Sequence, residues 1–168
     1  MRIRCRKCGK VHEEWPSLEF CSPFYYSRLT KVEKEKHAEL RTDFCVIKSK
    51  KQKDYFIRAI LTQKVNDHCD SLEYGVWVLL NEESFSDYDQ HFFEDDHKAT
   101  YFGYLSNQIP GYDNTLSVRV TVHTNEGMER PDIVPHPDQS PNRFVADYYN
   151  GISAEDVTAK IRYILGDQ

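Results

Sequence analysis

Three apolar runs near the centre of the chain constrain its fold most: "DFCVIKS" (43–49), "YFIRAILTQ" (55–63) and "LEYGVWVLL" (72–80). Each is rich in β-branched and aromatic residues and bounded by polar segments, the pattern of strands. The short polar segment "KKQKD" reads as the turn joining the first two. "ATYFGYLSN" and "TLSVRVTVHT" read as further strands, separated at "QIPGYDN" by a turn built on Pro110 and Gly111. "RPDIVPH" reads as a short edge-like strand, limited by its prolines.

Helices are expected at the ends and once between strands. "TKVEKEKHAELRT" has a capping box in Thr30 and Glu33 and few apolar residues, so it predicts a solvated helix. In "EESFSDYDQHFF", Phe85, Tyr88 and Phe92 share a helical face. "SPNRFVADYYNG" reads as a short helix ending at Gly151. "SAEDVTAKIRYILG" reads as a helix capped by Ser153, with Val157, Ile161, Ile164 and Leu165 as its apolar stripe and Gly166 past its end. The expected fold is α+β: a mainly antiparallel sheet with flanking helices and an N-terminal zinc-knuckle-like segment. The expected organisation is one domain, 1–168, with the cysteine knuckle at 1–21.

No run of 18 apolar residues is present, and the basic opening lacks an apolar stretch, so neither a membrane span nor a signal peptide is expected. Five cysteines, an odd number, fit reduced thiols better than a disulfide framework, so a cytoplasmic location is expected. The net charge of −5 is unevenly spread: residues 1–60 hold 15 Lys and Arg against 8 Asp and Glu, and the remainder is strongly acidic. The basic front invites a nucleic-acid reading through "RIRCRKCGK" and "KSKKQK"; the acidic remainder opposes it.

"CRKCGKVHEEWPSL", "DFCVI", "YFIRAIL", "YGVWVLLNEESFSDY", "YFGYLSNQIPGYDNT", "RPDIV" and the late "NGIS" together make the chain similar to an uncharacterised bacterial family, domain of unknown function 2199. The resemblance covers nearly the whole chain and implies no assigned activity. It implies a pattern in which the opening Cys-x2-Cys-Gly is paired with a nearby His and a Cys in the first strand, matching Cys5, Cys8, His12 and Cys45. The family often has His-Pro where this chain has Ser140-Pro141, so a role for that histidine does not carry over.

Zinc takes four N or S ligands, and a Cys-x2-Cys turn supplies two. His12, Cys21 and Cys45 are the candidates for the rest, with His68 and Cys69 more remote in sequence. The first choice is Cys5, Cys8, His12 and Cys45; the second brings in Cys21 for Cys45 or His12. Cys45 also reads as an ordinary buried thiol between Phe44 and Val46. A redox pair would need a strand before the motif and a helix starting at it, which "RCRKCGKVH" does not offer. Nothing resembles H-E-x-x-H or a deaminase motif, so the zinc is expected to be structural.

Arg58 interrupts an apolar strand and needs a carboxylate or backbone partner if it faces inward. Tyr101, Tyr104 and Tyr112, with Asn107, could line a recognition groove; a tyrosine-rich core edge is the competing reading. His123 at a strand end could act as a base, although no Ser or Cys nucleophile motif accompanies it. The acidic run "FFEDDHK" reads as a solvated loop. The functional expectation is therefore a binding or interaction domain for a protein or small-molecule partner, braced by structural zinc. The alternatives are an enzyme with a site around Arg58, Asn107, Tyr112 and His123, and nucleic-acid binding through the basic knuckle.

Overall fold

A computed structural model describes residues 2–4, 9–139 and 141–165 of the chain. Strands β1 (Arg2–Arg4) and β2 (Val11–Glu13) form an antiparallel hairpin with Arg4 opposite Val11. Then follow β3 (Leu18–Glu19), two short helices α1 (Phe24–Ser27) and α2 (Lys31–His37), and β4 (Ala38–Leu40). The central strands are β5 (Phe44–Lys48), β6 (Lys53–Gln63) and β7 (Leu72–Leu80). Helix α3 (Glu82–Gln90) leads to β8 (Thr100–Leu105), β9 (Arg119–His123) and β10 (Asp132–Pro135), and α4 (Arg143–Asn150) and α5 (Ala154–Leu165) follow.

The fold is α+β, but its sheet closes. β6, β7, β8, β9 and β10 pair in succession, and β10 returns to β6 through a parallel bridge, Asp132 to Ile60, making a five-stranded barrel. β5 and β4 extend it antiparallel from β6, and β3 lies parallel to β7. Closure depends on a contact between segments some 70 residues apart, which no local pattern records. β10, expected at an edge, therefore has neighbours on both sides. Its prolines are tolerated because each still offers a carbonyl: the Ile60 amide donates to Pro131 O at 2.8 Å, and the Tyr149 hydroxyl donates to Pro135 O.

The runs of β6 and β7 are apolar on both faces because both faces are covered. On one face, Ile57, Ala59 and Leu61 meet Tyr74, Val76 and Val78, then Val120, Val122 and Ile133, in the barrel interior, which Phe144 and Val157 of α4 and α5 join. On the other, Cys45, Ile47, Phe56 and Trp77 form a second cluster, covered by Phe20, Tyr26 and Leu29. Burying each large side chain contributes roughly 1.5–3 kcal/mol. Phe85 and Tyr88 anchor α3 against Phe44, with ring centroids 5.6 Å apart in each case.

Helix α2 starts where its capping box predicts, with Thr30 Oγ1 accepting from the Glu33 amide at 3.3 Å and Glu33 Oε2 accepting from the Thr30 amide at 2.7 Å. It stops earlier than expected. With no buried residue to hold it, the chain turns extended at Ala38 and pairs with β5 instead. In α5 the stripe rotates: Val157 and Lys160 are buried and Ile164 is exposed. Gly166 lies outside the described residues.

Candidate functional site

Arg58 finds the carboxylate that its strand demands. Its guanidinium pairs with Glu19 and lies over Trp77, 5.9 Å from the ring centroid. Arg130 continues the network, with Nη1 3.8 Å from Glu19 and Nε donating to Asp43 Oδ1 at 2.7 Å. The Glu19 carboxylate can approach because residue 75 is glycine: a Cβ there would sit 2.6 Å from Glu19 Oε2. The network ties β3, β6 and the loop before β10 together.

Asn107 is 2% exposed, and both ends of its amide are engaged. Oδ1 accepts from the Trp77 amide at 2.7 Å, and Nδ2 donates to Ser22 O at 3.0 Å. Tyr112 is buried; its hydroxyl donates to Asp147 Oδ2 at 2.8 Å, and the Lys160 ammonium sits 4.0 Å from its ring centroid. Lys160 also donates to Pro110 O at 2.8 Å, and burial pulls its pKa below the ordinary lysine value. His123 ends β9, exposed, opposite Thr100 and Asp132. Arg58 and Asn107 both adjoin Trp77, whereas Tyr112 is turned to Asp147 and Lys160.

Cys5 and Cys8 lie outside the described residues, and of His12 only the backbone, in β2 opposite Ile3, is described. Cys45 is 1% exposed in the apolar cluster with Phe56 and Trp77, where burial pushes its pKa up to about 12. That setting favours the protonated thiol over the thiolate. Cys21 is exposed. In the folded protein at pH 8, a soluble disulfide reagent should therefore modify Cys21 within minutes and Cys45 only at the rate of unfolding. Mass mapping of the labelled peptides checks this; prompt labelling of Cys45 would show that its strand opens locally.

Two other groups of donors are close together. Asp87, His91 and His97 have ligand-type atoms within 4.8 Å of one another. The Tyr101 hydroxyl donates to Asp87 Oδ2 at 2.7 Å and, with the two imidazoles, holds that carboxyl below its ordinary value. His91 is raised, chiefly by its bond to the Asp87 carbonyl. The two imidazole rings stack 8° from parallel at 4.1 Å, so their planes do not meet at a shared ion. The group reads as a hydrogen-bonded tie between α3 and β8. The other group, His68, Cys69 and Asp70, lies between β6 and β7.

An exposed apolar surface lies on the outside of the barrel. β8 alternates cleanly, with Tyr101, Gly103 and Leu105 inward and Phe102 and Tyr104 outward, 47% and 39% exposed. Tyr101 and Tyr104 thus face opposite ways and cannot share the groove expected of them. Phe102 and Tyr104 meet edge to face at 5.1 Å, and His136 flanks Phe102 at 5.5 Å. Beside them Tyr55, Leu79, Leu80 and Glu82 complete a groove of about 560 Å³, with Lys53 and Asp54 at its rim. Strand parity applied to "TYFGYL" is the sequence signal that points to Phe102.

The chain matches, over residues 4–152, the family described as an uncharacterized protein conserved in bacteria (DUF2199). No curated protein and no solved structure matches it. Among the described residues no helix is long and apolar enough to cross a membrane.

Proposed function

The chain belongs to the DUF2199 family of uncharacterised proteins conserved in bacteria, and on that footing we propose that it is an interaction domain that receives a partner on the outer face of β7, β8 and β9. A structural zinc at the N-terminal hairpin braces it. The observation that carries the reading is the exposed Phe102–Tyr104 pair beside the groove under Tyr55 and Glu82. Strand aromatics are normally buried, and an outward pair fixed by the barrel gives contact area with few torsions left to freeze. Rim charges of both signs, Lys53 against Asp54 and Glu82, suit a mixed-charge protein segment.

Changing Phe102 and Tyr104 together to Ala should leave stability within about 1 kcal/mol, since neither is core. It should weaken partner capture by more than about tenfold. Affinity capture from bacterial extract, quantified for the wild type, the double variant and a Tyr163→Ala control at another exposed aromatic, checks this. Undiminished capture by the double variant would reject the groove as the contact surface.

One observation favours a second reading, an enzyme. Lys160 is 8% exposed, with its amine against Tyr112 and its basicity lowered by burial, and Arg143 lies 3.7 Å from Asp147 beside them. A pocket of about 170 Å³ between Gly111 and Phe144 adjoins this group. Covalent trapping of Lys160 by a small aldehyde and borohydride at neutral pH, with other lysines untouched, would support it over the interaction reading.

Nucleic-acid binding has less support. The turn after Lys48 lies at one end of β6, while Trp15, just past the hairpin, donates from Nε1 to Ser71 O beside the other end. At about 3.3 Å per residue the two ends of this strand are roughly 33 Å apart.

A further inference from the structure

We infer that the partner binds as an extended strand, entering a slot between the first residues of β6 and β8 where β7 stops. This rests on the interaction reading above and names the form that the partner takes there. β7 ends at Leu80, opposite Tyr55 of β6, and its last partner in β8 is Tyr104, opposite Leu79. Asn81 then caps α3, and the chain leaves the sheet. β6 already begins at Lys53 and β8 at Thr100, so both neighbours run on past the end of the strand between them. Adjacent strands lie about 4.8 Å apart, so β7 holds its two neighbours roughly 9.6 Å apart, the width that one strand fills.

The ladders fix which backbone groups line this slot. On the β9 side of β8, the Thr124 amide donates to Ala99 O at 3.1 Å and the Leu105 amide donates to Val118 O at 2.8 Å. Bonding groups alternate sides along a strand, so Tyr101 and Gly103 also face β9, whereas Thr100 and Phe102 face the slot. On the β5 side of β6, the Ser49 amide donates to Gln52 O at 2.8 Å and the Arg58 amide donates to Asp43 O at 3.0 Å. Asp54 and Phe56 therefore face β5, and Lys53 faces the slot. No described residue hydrogen-bonds to the backbone of Lys53, Thr100 or Phe102 on that side. Open N–H and C=O groups on both walls match the two edges of one more strand, which a helix or a small apolar molecule does not offer.

The groove of about 560 Å³ occupies this place, with Lys53 and Asp54 of β6, Leu80 of β7 and Phe102 of β8 all lining it. An inserted strand would set an apolar side chain beside Phe102 on the outside of the barrel, as cross-strand neighbours do. Charge decides the rest of the segment. Lys53 stands against two carboxylates, Asp54 and Glu82. Both carboxylates are held by neutral donors, Asp54 by Gln52 Nε2 at 3.1 Å and Glu82 by the Tyr55 hydroxyl at 2.7 Å. The excess negative charge is complementary to a basic residue. The occupant is thus an extended segment of a partner protein that alternates apolar and polar residues and carries Lys or Arg.

The test pans a phage-displayed library of random short peptides against the full-length chain, and the most enriched sequence is synthesised and titrated. It should alternate apolar and polar residues, include Lys or Arg, and lose affinity more than about tenfold on Phe102→Ala. Amide hydrogen exchange followed by NMR reads the backbone: the amides of Lys53, Thr100 and Phe102 should exchange at least about tenfold more slowly with the peptide bound. Thr100→Pro removes a donor that the fold does not use, at the first residue of a strand, where proline is tolerated. It should weaken binding about three- to tenfold, and Thr100→Val, which keeps the donor, should leave it unchanged. Circular dichroism shows whether the proline variant is folded, and the wild-type exchange rates decide where it is not. A peptide that depends on Phe102 yet leaves the three amides exchanging freely would overturn strand insertion and leave the interaction face intact. A library without binders, or with binders indifferent to Phe102→Ala, would overturn both. Protection of these amides that rises with protein concentration in the absence of peptide would give the slot to a second copy of the chain and overturn the assignment to a partner.

Discussion

Asn107→Ala is expected to destabilise the protein by about 3 kcal/mol, the cost of leaving one buried and one half-buried backbone partner without a hydrogen bond at roughly 1–3 kcal/mol each. The Trp77 amide, 2.7 Å from Oδ1, is one; the Ser22 carbonyl, 3.0 Å from Nδ2, is the other. Water does not easily replace the amide, because Trp77 is 0% exposed and Asn107 2%. Asn107→Asp should fare no better: it keeps an acceptor for Trp77, loses the donor to Ser22 and brings an unpaired charge into the interior. Urea denaturation with an unchanged m-value checks both variants. Stability within about 0.5 kcal/mol of wild type, combined with lost partner binding, would return Asn107 to the recognition surface.

Arg58→Ala should cost about 2–3 kcal/mol, between the values for exposed and fully buried ion pairs. The Arg58 side chain is 15% exposed and that of Glu19 43%, so solvent screens part of the loss. What remains is a Glu19 carboxylate pressed over Gly75, balanced among the described residues by Arg130 at 3.8 Å, and an uncovered face of Trp77. Arg58→Lys should recover less than half, since an ammonium cannot both pair with Glu19 and lie flat over an indole. Removing the carboxylate as well, with Glu19→Gln in the Arg58→Ala background, should cost less than the sum of the single changes. Strict additivity in that double-mutant cycle would show that the pair is not coupled.

Much of the fold was legible wherever structure is local. "LEYGVWVLL" is β7 residue for residue, the Thr30–Glu33 box starts α2, and Gly151, with φ +82°, ends α4. Arg58 announced its need for a partner because a cation in an apolar strand has few alternatives. What stayed hidden was non-local. The barrel closes through Asp132 and Ile60, and a proline-bounded strand gives no hint that it has a neighbour on each side. Asn107 and Tyr112 looked like recognition residues because a polar amide and tyrosines near a Pro-Gly turn have the composition of a binding loop. Composition does not say that Asn107 is aimed at Trp77 or Tyr112 at Asp147.

The proposed recognition face is tested most directly by photo-crosslinking in living bacteria. A photoreactive phenylalanine analogue is placed in turn at position 102 on the outer face of β8 and at position 163 on the exposed side of α5. Irradiation should give one dominant protein adduct from position 102 and none of that mass from position 163. The adduct should disappear when Tyr104→Ala is combined with the probe. Adducts that form equally from both positions, or from position 163 alone, would contradict the assignment of the β7–β8–β9 face as the site of partner binding.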